Sequence, residues 1–287
     1  MDREAALLTA VIPAKNLENI SSNICKLFTQ NLTSVRLIIV LDEAGTFTKE
    51  LIYDLVKSNK NCDVTILEGK FRNPGGARNA GIALCESDWI CFWDADDQPE
   101  VSNILKEISL KGSSSDIIVG QYVVLDWMTN AKIRKDQTES NLEALAMNPG
   151  LWRHVFRSEA IEGIVFPDLR MAEDQVFLAQ AYNKTLRVKF SESIFYNYYK
   201  NVPNQLTSSS NNLEDIEKSL TLLLNLYASP SSFREILLVR QLVTLTTRRF
   251  SLKKSRLQLY RALNRQIPGK KLIQIVSSIC AMKLRGR

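Results

Sequence analysis

The chain has 287 residues, of which 45% are apolar and 24% charged, so it can bury one substantial core. Its ordinary content of 11 Gly and 8 Pro excludes a collagen-like or globally disordered protein. The net charge of +6 is uneven, because residues 231–287 carry 14 Lys or Arg and one acid, Glu235. An acidic body followed by a basic region predicts two tasks in one chain.

The cysteines and the first ten residues indicate the cellular compartment in which we expect the protein. Five cysteines without paired spacing fit neither a zinc site nor a disulfide framework, and they favour a reducing compartment. Residues 1–10 carry three charges before the apolar run and do not resemble a secretory signal. No apolar stretch approaches the roughly 20 residues of a membrane span. We therefore expect a cytoplasmic protein.

The first half alternates apolar strands with amphipathic helices, which is typical of an α/β sheet with crossover helices. Strands are predicted at residues 7–13, 35–41, 63–67, 89–93 and 116–126. Helices are predicted at residues 17–30, 49–58, 77–85 and 99–110.

Beyond residue 127 the pattern is mixed, and from residue 211 it is helical. We predict helices at 141–147 and 172–182 and strands at 187–190 and 194–200. Polar turn formers at 208–212 predict a boundary between a catalytic domain, 1–210, and a basic helical region, 211–287. Within the first domain, residues 1–126 would bind a donor and residues 127–210 an acceptor.

Three carboxylates end the predicted strand 89–93, namely Asp94, Asp96 and Asp97. In an open α/β sheet, ligands bind outside the carboxyl ends of the strands. Crowded carboxylates repel one another unless a cation lies between them, and hard oxygen ligands favour Mg²⁺ or Mn²⁺. An alternative for Asp97 is an N-cap role, with Pro99 and Glu100 opening the next helix.

In PGGARNAG, at residues 74–81, two glycines precede a predicted helix whose first turns include Arg78 and Asn79. Glycines let a backbone approach a ligand closely, a helix N-terminus favours anions, and Arg78 offers a bidentate phosphate contact. A glycine-rich loop is also often only a tight turn.

Four motifs in this order resemble family 2 glycosyltransferases. They are IPAKN at 12–16, VLDEAGT at 40–46, ARNAG at 77–81 and DADD at 94–97. The resemblance implies a GT-A fold, a nucleotide-sugar donor and an inverting reaction. It implies donor-binding roles for a set of side chains and a metal site at Asp96 or Asp97. The donor-binding set is Pro13, Asn16, Asp42, Glu43, Arg78, Asp94 and Asp96. Glu43 stands where the family often has aspartate, so the usual uracil preference is left open.

The same resemblance implies a catalytic base at Asp174, beside Glu173, in a Glu-Asp pair that opens a predicted helix. A positioned base contributes about 10²–10⁴-fold to the attack of a hydroxyl. The alternative is an ordinary acidic pair stabilised by the helix dipole.

Further candidates for acceptor or diphosphate contact are Trp152, Tyr198, Lys200 and Ser208 (or Thr207). Trp152 and His154 lie two apart on a predicted strand facing the cleft. A buried Trp and a core Tyr strand are the alternatives, and His154 is expected only to pack or to hydrogen-bond.

The basic region 231–287 combines leucine-rich helical spacing with Lys and Arg on the other faces. Such helices bind an anionic membrane surface or form a bundle with a solvated basic face. No nucleic-acid-binding motif accompanies the charge.

The leading hypothesis is a glycosyltransferase that uses Mn²⁺ or Mg²⁺, a UDP-sugar and a glycan or lipid-linked acceptor. The resemblance places it in bacterial surface polysaccharide or glycolipid synthesis, at most peripheral to the membrane. A nucleotidyltransferase and a non-catalytic adaptor with a degenerate transferase fold are the alternatives.

Overall fold

A computed structural model describes residues 6–18, 21–60, 62–135, 141–184, 186–202, 213–226, 232–248 and 254–285. The chain divides into two compact units. The first comprises Met1–Thr138, Gly150–Asp168 and Leu186–Ser208, and the second comprises Glu139–Pro149, Leu169–Thr185 and Ser209–Arg287. The predicted boundary at 208–212, and with it Ser208, lies outside the described residues.

The first unit is built on a nine-stranded sheet. Its strands are β1 (Leu8–Ala14), β2 (Val35–Asp42), β3 (Asp63–Gly69), β4 (Trp89–Phe92), β5 (Gln98–Pro99), β6 (Ile117–Asp126), β7 (Lys132–Lys135), β8 (His154–Arg157) and β9 (Val188–Lys200). The strand order is β3-β2-β1-β4-β8-β6-β9-β5, and β7 pairs with β6. This unit also contains the helices α1 (Ser21–Leu27), α2 (Thr46–Ser58), α3 (Pro74–Ile82) and α4 (Val101–Lys111). The predicted α/β class is confirmed.

Strands β1 to β4 run parallel to one another, so their carboxyl ends meet at one edge of the sheet. Strands β1, β2 and β4 are largely apolar and buried on both faces, as expected for parallel strands covered on both sides. In the register, Val11 of β1 lies opposite Phe92, and Ala14 lies opposite Leu41. The polar residues that follow β1, β2 and β4 are thereby brought to the same edge.

Local predictions failed where long-range pairing decides the structure. The two strands predicted at 187–190 and 194–200 are one strand, β9, which pairs in parallel with β6 across register shifts near Gln121. Helix α1 spans only Ser21–Leu27, although 17–30 was predicted. Trp152 is not on a strand, because Leu151–Arg153 forms a 3₁₀ turn before β8.

The second unit contains α5 (Leu142–Met147), α6 (Glu173–Ala181), α7 (Leu213–Asn225), α8 (Ser232–Arg248), α9 (Lys254–Gln266) and α10 (Gly269–Arg285). The guanidinium of Arg240 on α8 donates to the Ala146 carbonyl of α5 at 2.9 Å. Glu235 is 3% exposed and forms an ion pair with Lys271 of α10. In the part of the chain that the structure describes, no helix has both the length and the apolar content of a membrane span.

Candidate active site

The three carboxylates after β4 lie together. One oxygen each from Asp94, Asp96 and Asp97 falls within 4.8 Å of the others. Asp97 is buried, with 3% of its surface exposed, and the other two are half-buried. The backbone N–H of Asp97 donates to the Asp94 carbonyl at 3.2 Å and closes the turn that brings the three together.

Two residues of β9 hydrogen-bond to the Asp97 carboxylate. Its carboxylate accepts the backbone N–H of Tyr199 at 2.7 Å and the hydroxyl of Tyr196. Burial, together with the charges of Asp96 and Asp94, raises the pKa of Asp97 well above its ordinary value. The N-cap interpretation of Asp97 is wrong, because α4 begins at Val101 with Glu100 as its N-cap, and Gln98–Pro99 pair with β9.

Asp94 is held by a buried arginine. Arg78 is 6% exposed, and its Nη2 lies 2.8 Å from Asp94 Oδ1. The guanidinium also lies 5.5 Å from the ring centroid of Phe166. The backbone N–H of Asp94 donates to the Tyr196 hydroxyl at 2.8 Å. Arg78 therefore orients an acid, and its predicted contact with the nucleotide stays a prediction.

The acidic cluster fits a divalent cation. Three oxygen ligands of the kind preferred by Mg²⁺ and Mn²⁺ converge on one place. Within this cluster, Asp94 forms an ion pair with Arg78. The pKa of Asp97 is raised first by burial and then by the neighbouring charges of Asp96 and Asp94, and a bound cation would offset both costs.

Aromatic rings from β9, β6 and the 3₁₀ turn pack beside the acids. Trp152 stacks on Tyr196 and Tyr198, with ring centroids 4.7 and 5.6 Å apart, and meets Tyr122 edge-on. Burial, and then the charge of Asp97, raises the pKa of Tyr198. The predicted acceptor residues Trp152 and Tyr198 are thus in contact with each other. Tyr196 was missed by the sequence analysis, although its spacing of two from Tyr198 puts both on one face of a strand.

At the end of β2 lie Asp42 and Glu43, two of the residues predicted to bind the donor. Asp42 is 6% exposed, and its Oδ1 accepts the N–H of Phe71 at 2.6 Å. Glu43 is exposed and pairs with Lys70 at 3.0 Å and Lys15 at 3.5 Å. The hydrogen bond from Lys70 is the main reason that the pKa of Glu43 is lowered.

Pro13 and Asn16 lie at the end of β1. Pro13 is half-buried within the strand. Asn16 is exposed, and its Oδ1 accepts the N–H of Glu18 at 3.1 Å. Both lie at the predicted edge of the sheet, and their contact with a donor stays a prediction.

Close packing requires glycine at two positions of the PGGARNAG segment. A Cβ on Gly76 would lie 2.3 Å from the Phe71 carbonyl oxygen, and one on Gly81 would lie 2.3 Å from Val11 of β1. Asn73 caps α3, with its Oδ1 accepting the Gly76 N–H at 2.8 Å. Asn79 pairs its amide with both backbone groups of Phe166. These contacts fix α3, and with it Arg78, against the sheet.

His154 is fully buried and packs, as predicted. Its Nδ1 lies 2.8 Å from the Gly150 carbonyl, and its ring stacks on Phe156. Burial, and then the charge of Arg153, lowers the pKa of His154 to about 3. The ring is therefore neutral in the folded protein at neutral pH.

Acid should destabilise the fold through His154. Its folded pKa of about 3 lies below the ordinary 6.5, so the unfolded state binds more protons below pH 6.5. Stability is then lost as the pH falls from 6.5 toward 3, at most by about 1.4 kcal/mol per unit. Between pH 6.0 and 4.5 we expect urea unfolding to show a loss roughly 2 kcal/mol larger in wild type than in His154→Asn, which retains an amide donor. An equal loss in both proteins would contradict this account.

Glu173 and Asp174 lie in the second unit, in the first turn of α6. Ala172, the N-cap of that helix, has φ 65° and offers no side-chain cap. Asp174 Oδ1 accepts the N–H of Gln175 at 2.8 Å, and Glu173 is 7% exposed. Lys200 lies in the first unit, exposed at the end of β9. Glu173 and Asp174 thus open a helix, as the sequence predicts.

The chain matches the model of the family described as glycosyl transferase family 2 over residues 9–167, more than half of its length. EpsJ of Bacillus subtilis, an uncharacterized glycosyltransferase, is 26% identical over 220 residues, which is 70% of this chain and 63% of that relative. A poly(ribitol-phosphate) beta-glucosyltransferase of Bacillus spizizenii is 25% identical over 67% of this chain and 32% of its own length. The chain thus spans less than two thirds of either relative.

Solved structures resemble the fold more extensively. The structure of S. aureus TarS 1–349 in complex with UDP-GlcNAc has a TM-score of 0.70 at 18% identity. The likeness covers 91% of this chain and 81% of TarS 1–349, and it confirms the predicted GT-A fold. With the family match over residues 9–167, it follows that the chain belongs to glycosyl transferase family 2.

Proposed function

We propose that this protein is an inverting, metal-dependent glycosyltransferase that moves one sugar from a nucleotide-sugar donor to an acceptor hydroxyl. The observation that carries the proposal is the cluster of Asp94, Asp96 and Asp97 at the carboxyl edge of the parallel strands. Acids at this edge suit a ligand that carries a diphosphate and a cation. Membership in the family supports the same activity.

Asp96 and Asp97 would hold the cation, Mn²⁺ or Mg²⁺, and Asp94 would be kept in place by Arg78. A bound divalent cation supplies charge neutralisation for a departing diphosphate. Asp97 is buried away from bulk water, and the Tyr196 hydroxyl links its carboxylate to the Asp94 backbone. This arrangement presents the acids in one orientation before any donor arrives.

The donor proposed is a UDP-sugar, because TarS, which shares the fold, was solved with UDP-GlcNAc. Asp42 would contact the base, and its carboxylate accepts the Phe71 N–H. Glu43 is already engaged by Lys15 and Lys70, so it would contact a donor only together with those charges. Pro13 and Asn16 complete the donor side.

The acceptor would be deprotonated by Asp174 and would attack the anomeric carbon from the face opposite the diphosphate. A single displacement of this kind inverts the configuration. Contact with the acceptor or the diphosphate is proposed for five further residues: Trp152, Glu173, Tyr198, Lys200 and Ser208. Trp152 already stacks on Tyr196 and Tyr198. It could therefore stack on a sugar only through ring surface that these tyrosines leave uncovered.

A glycan or lipid-linked acceptor in bacterial surface polysaccharide synthesis fits the relatives, one of which is named for transfer to poly(ribitol-phosphate). The basic region 231–287 would bring the enzyme to an anionic membrane surface. Its one acid, Glu235, is buried against Lys271, while Arg261, Arg265 and Lys270 are exposed. Sedimentation with phosphatidylglycerol vesicles tests this, and a protein that stays in the supernatant at low salt excludes it.

A donor screen tests the proposed activity. The protein is incubated with Mn²⁺ and UDP-, GDP- or dTDP-sugars, and free nucleoside diphosphate is measured with and without a chelator. We expect UDP to be released from one UDP-sugar and the release to stop with the chelator. Pyrophosphate made from a nucleoside triphosphate and a sugar phosphate would identify a nucleotidyltransferase instead. Absence of both turnover and nucleotide binding would identify a non-catalytic adaptor.

A further inference from the structure

Helix α1 and the turn after it contact the acidic segment through two side-chain amides. Asn23 on α1 is 1% exposed, and its Nδ2 donates to the Asp96 carbonyl at 2.5 Å. Gln30 donates to the Pro99 carbonyl at 2.8 Å and accepts the Val101 N–H at 3.0 Å. The chain from the acids to the start of α4 is therefore fixed at two points from the same side.

Each of the three acids has an anchor of its own. Asp94 is held by Arg78, and Asp97 by the backbone of Tyr199. Asp96 lies at the turn between them, and its backbone carbonyl is bonded to Asn23. The Asp96 carbonyl can only accept, so the nitrogen of the Asn23 amide must face it.

We infer that Asn23 is a positioning residue for the cation site: it fixes the Asp96 backbone and thereby aims the Asp96 carboxylate at the position shared with Asp97. The inference rests on the proposed function, since it assumes that a cation binds there. Groups that hold metal ligands in place typically contribute about 10–100-fold to metal affinity.

The free-energy cost of burying the Asn23 amide argues against a role in packing alone. Asn23 Oδ1 is buried and has no hydrogen-bond partner among the described residues. An unsatisfied buried acceptor is unfavourable, so an apolar side chain would serve a packing role better. The amide makes one hydrogen bond, from its Nδ2 to the Asp96 carbonyl in the turn that carries the acids.

The test is the affinity for Mn²⁺ alone, measured by EPR from the loss of the free-ion signal, in wild type and in Asn23→Leu. Leu has the same branched shape and the same number of side-chain heavy atoms, and it removes the Nδ2 donor together with the unpartnered Oδ1 acceptor. We expect the Kd for Mn²⁺ to rise about tenfold or more. The matched control is Asn59→Leu, which removes a similar amide-to-carbonyl bond, to Leu55 in α2. That control should bind Mn²⁺ as wild type does.

The outcomes separate this inference from the proposed function. Wild type that binds Mn²⁺, with Asn23→Leu binding it equally well, overturns the positioning role and leaves the proposed function intact. Wild type that does not bind Mn²⁺ or Mg²⁺ overturns both. Asn23→Ser, which is too short to reach the carbonyl, is the second variant if Asn23→Leu does not fold. If neither folds, the role of Asn23 is structural and the inference is rejected.

Discussion

Replacing Asp96 with Asn should lower kcat by about a thousandfold, which corresponds to roughly 4 kcal/mol of transition-state stabilisation. Asn keeps the shape and one oxygen ligand but removes the negative charge that would hold the cation. It also keeps the backbone carbonyl that Asn23 contacts. The measurement is the rate of UDP release at increasing Mn²⁺, together with the Kd for UDP in Mn²⁺ and in chelator. We expect most of the metal-dependent gain in UDP affinity to disappear.

Asp88→Asn is the control for this prediction. Asp88 is exposed and directly precedes β4, at the opposite end of the strand from the acidic cluster. Removing its charge changes the net charge equally without touching the cluster. Turnover by Asp96→Asn within a few-fold of that of Asp88→Asn would show that the cluster does not hold a catalytic cation.

The location of the site followed from the sequence because parallel strands impose it. Apolar runs at 7–13, 35–41 and 89–93 required buried strands, and crossover helices between them required parallel neighbours. The polar residues after each run then had to meet at one edge, as Asp42 and Asp94 do. Family resemblance added roles to these positions but was not needed for their placement.

The contacts that hold the acids did not follow from the sequence, since their partners lie far along the chain. Asp97 looks locally like an N-cap, and only pairing of Gln98–Pro99 with β9 converts it into a buried acceptor for Tyr199. In the sequence Tyr196 looks like an ordinary strand residue, and only the structure shows that its hydroxyl accepts the Asp94 N–H. Asn23 lies 73 positions before Asp96, and no local pattern connects the two.

Replacing Asp174 with Asn should lower kcat by about 10²–10⁴-fold, because an amide cannot accept the proton of the acceptor hydroxyl. The amide oxygen can still accept the Gln175 N–H, so the start of α6 should be preserved. Binding of UDP should change by less than about twofold, since a base contributes to the chemical step and not to binding of the donor nucleotide. The measurements are initial rates with the donor found by screening and the Kd for UDP by calorimetry.

The competing explanation of Asp174 is a helix-terminal charge, which would contribute about 0.3–1 kcal/mol to stability and nothing to turnover. Glu214→Gln provides the matched control, because Glu214 is an exposed acid in the first turn of α7. Both variants should lose a similar small amount of stability in urea unfolding, and only Asp174→Asn should lose turnover. If Asp174→Asn turns over as fast as Glu214→Gln, then Asp174 is a capping charge and the base must be another group. Loss of UDP binding in Asp174→Asn would instead indicate that the substitution disturbs the donor site.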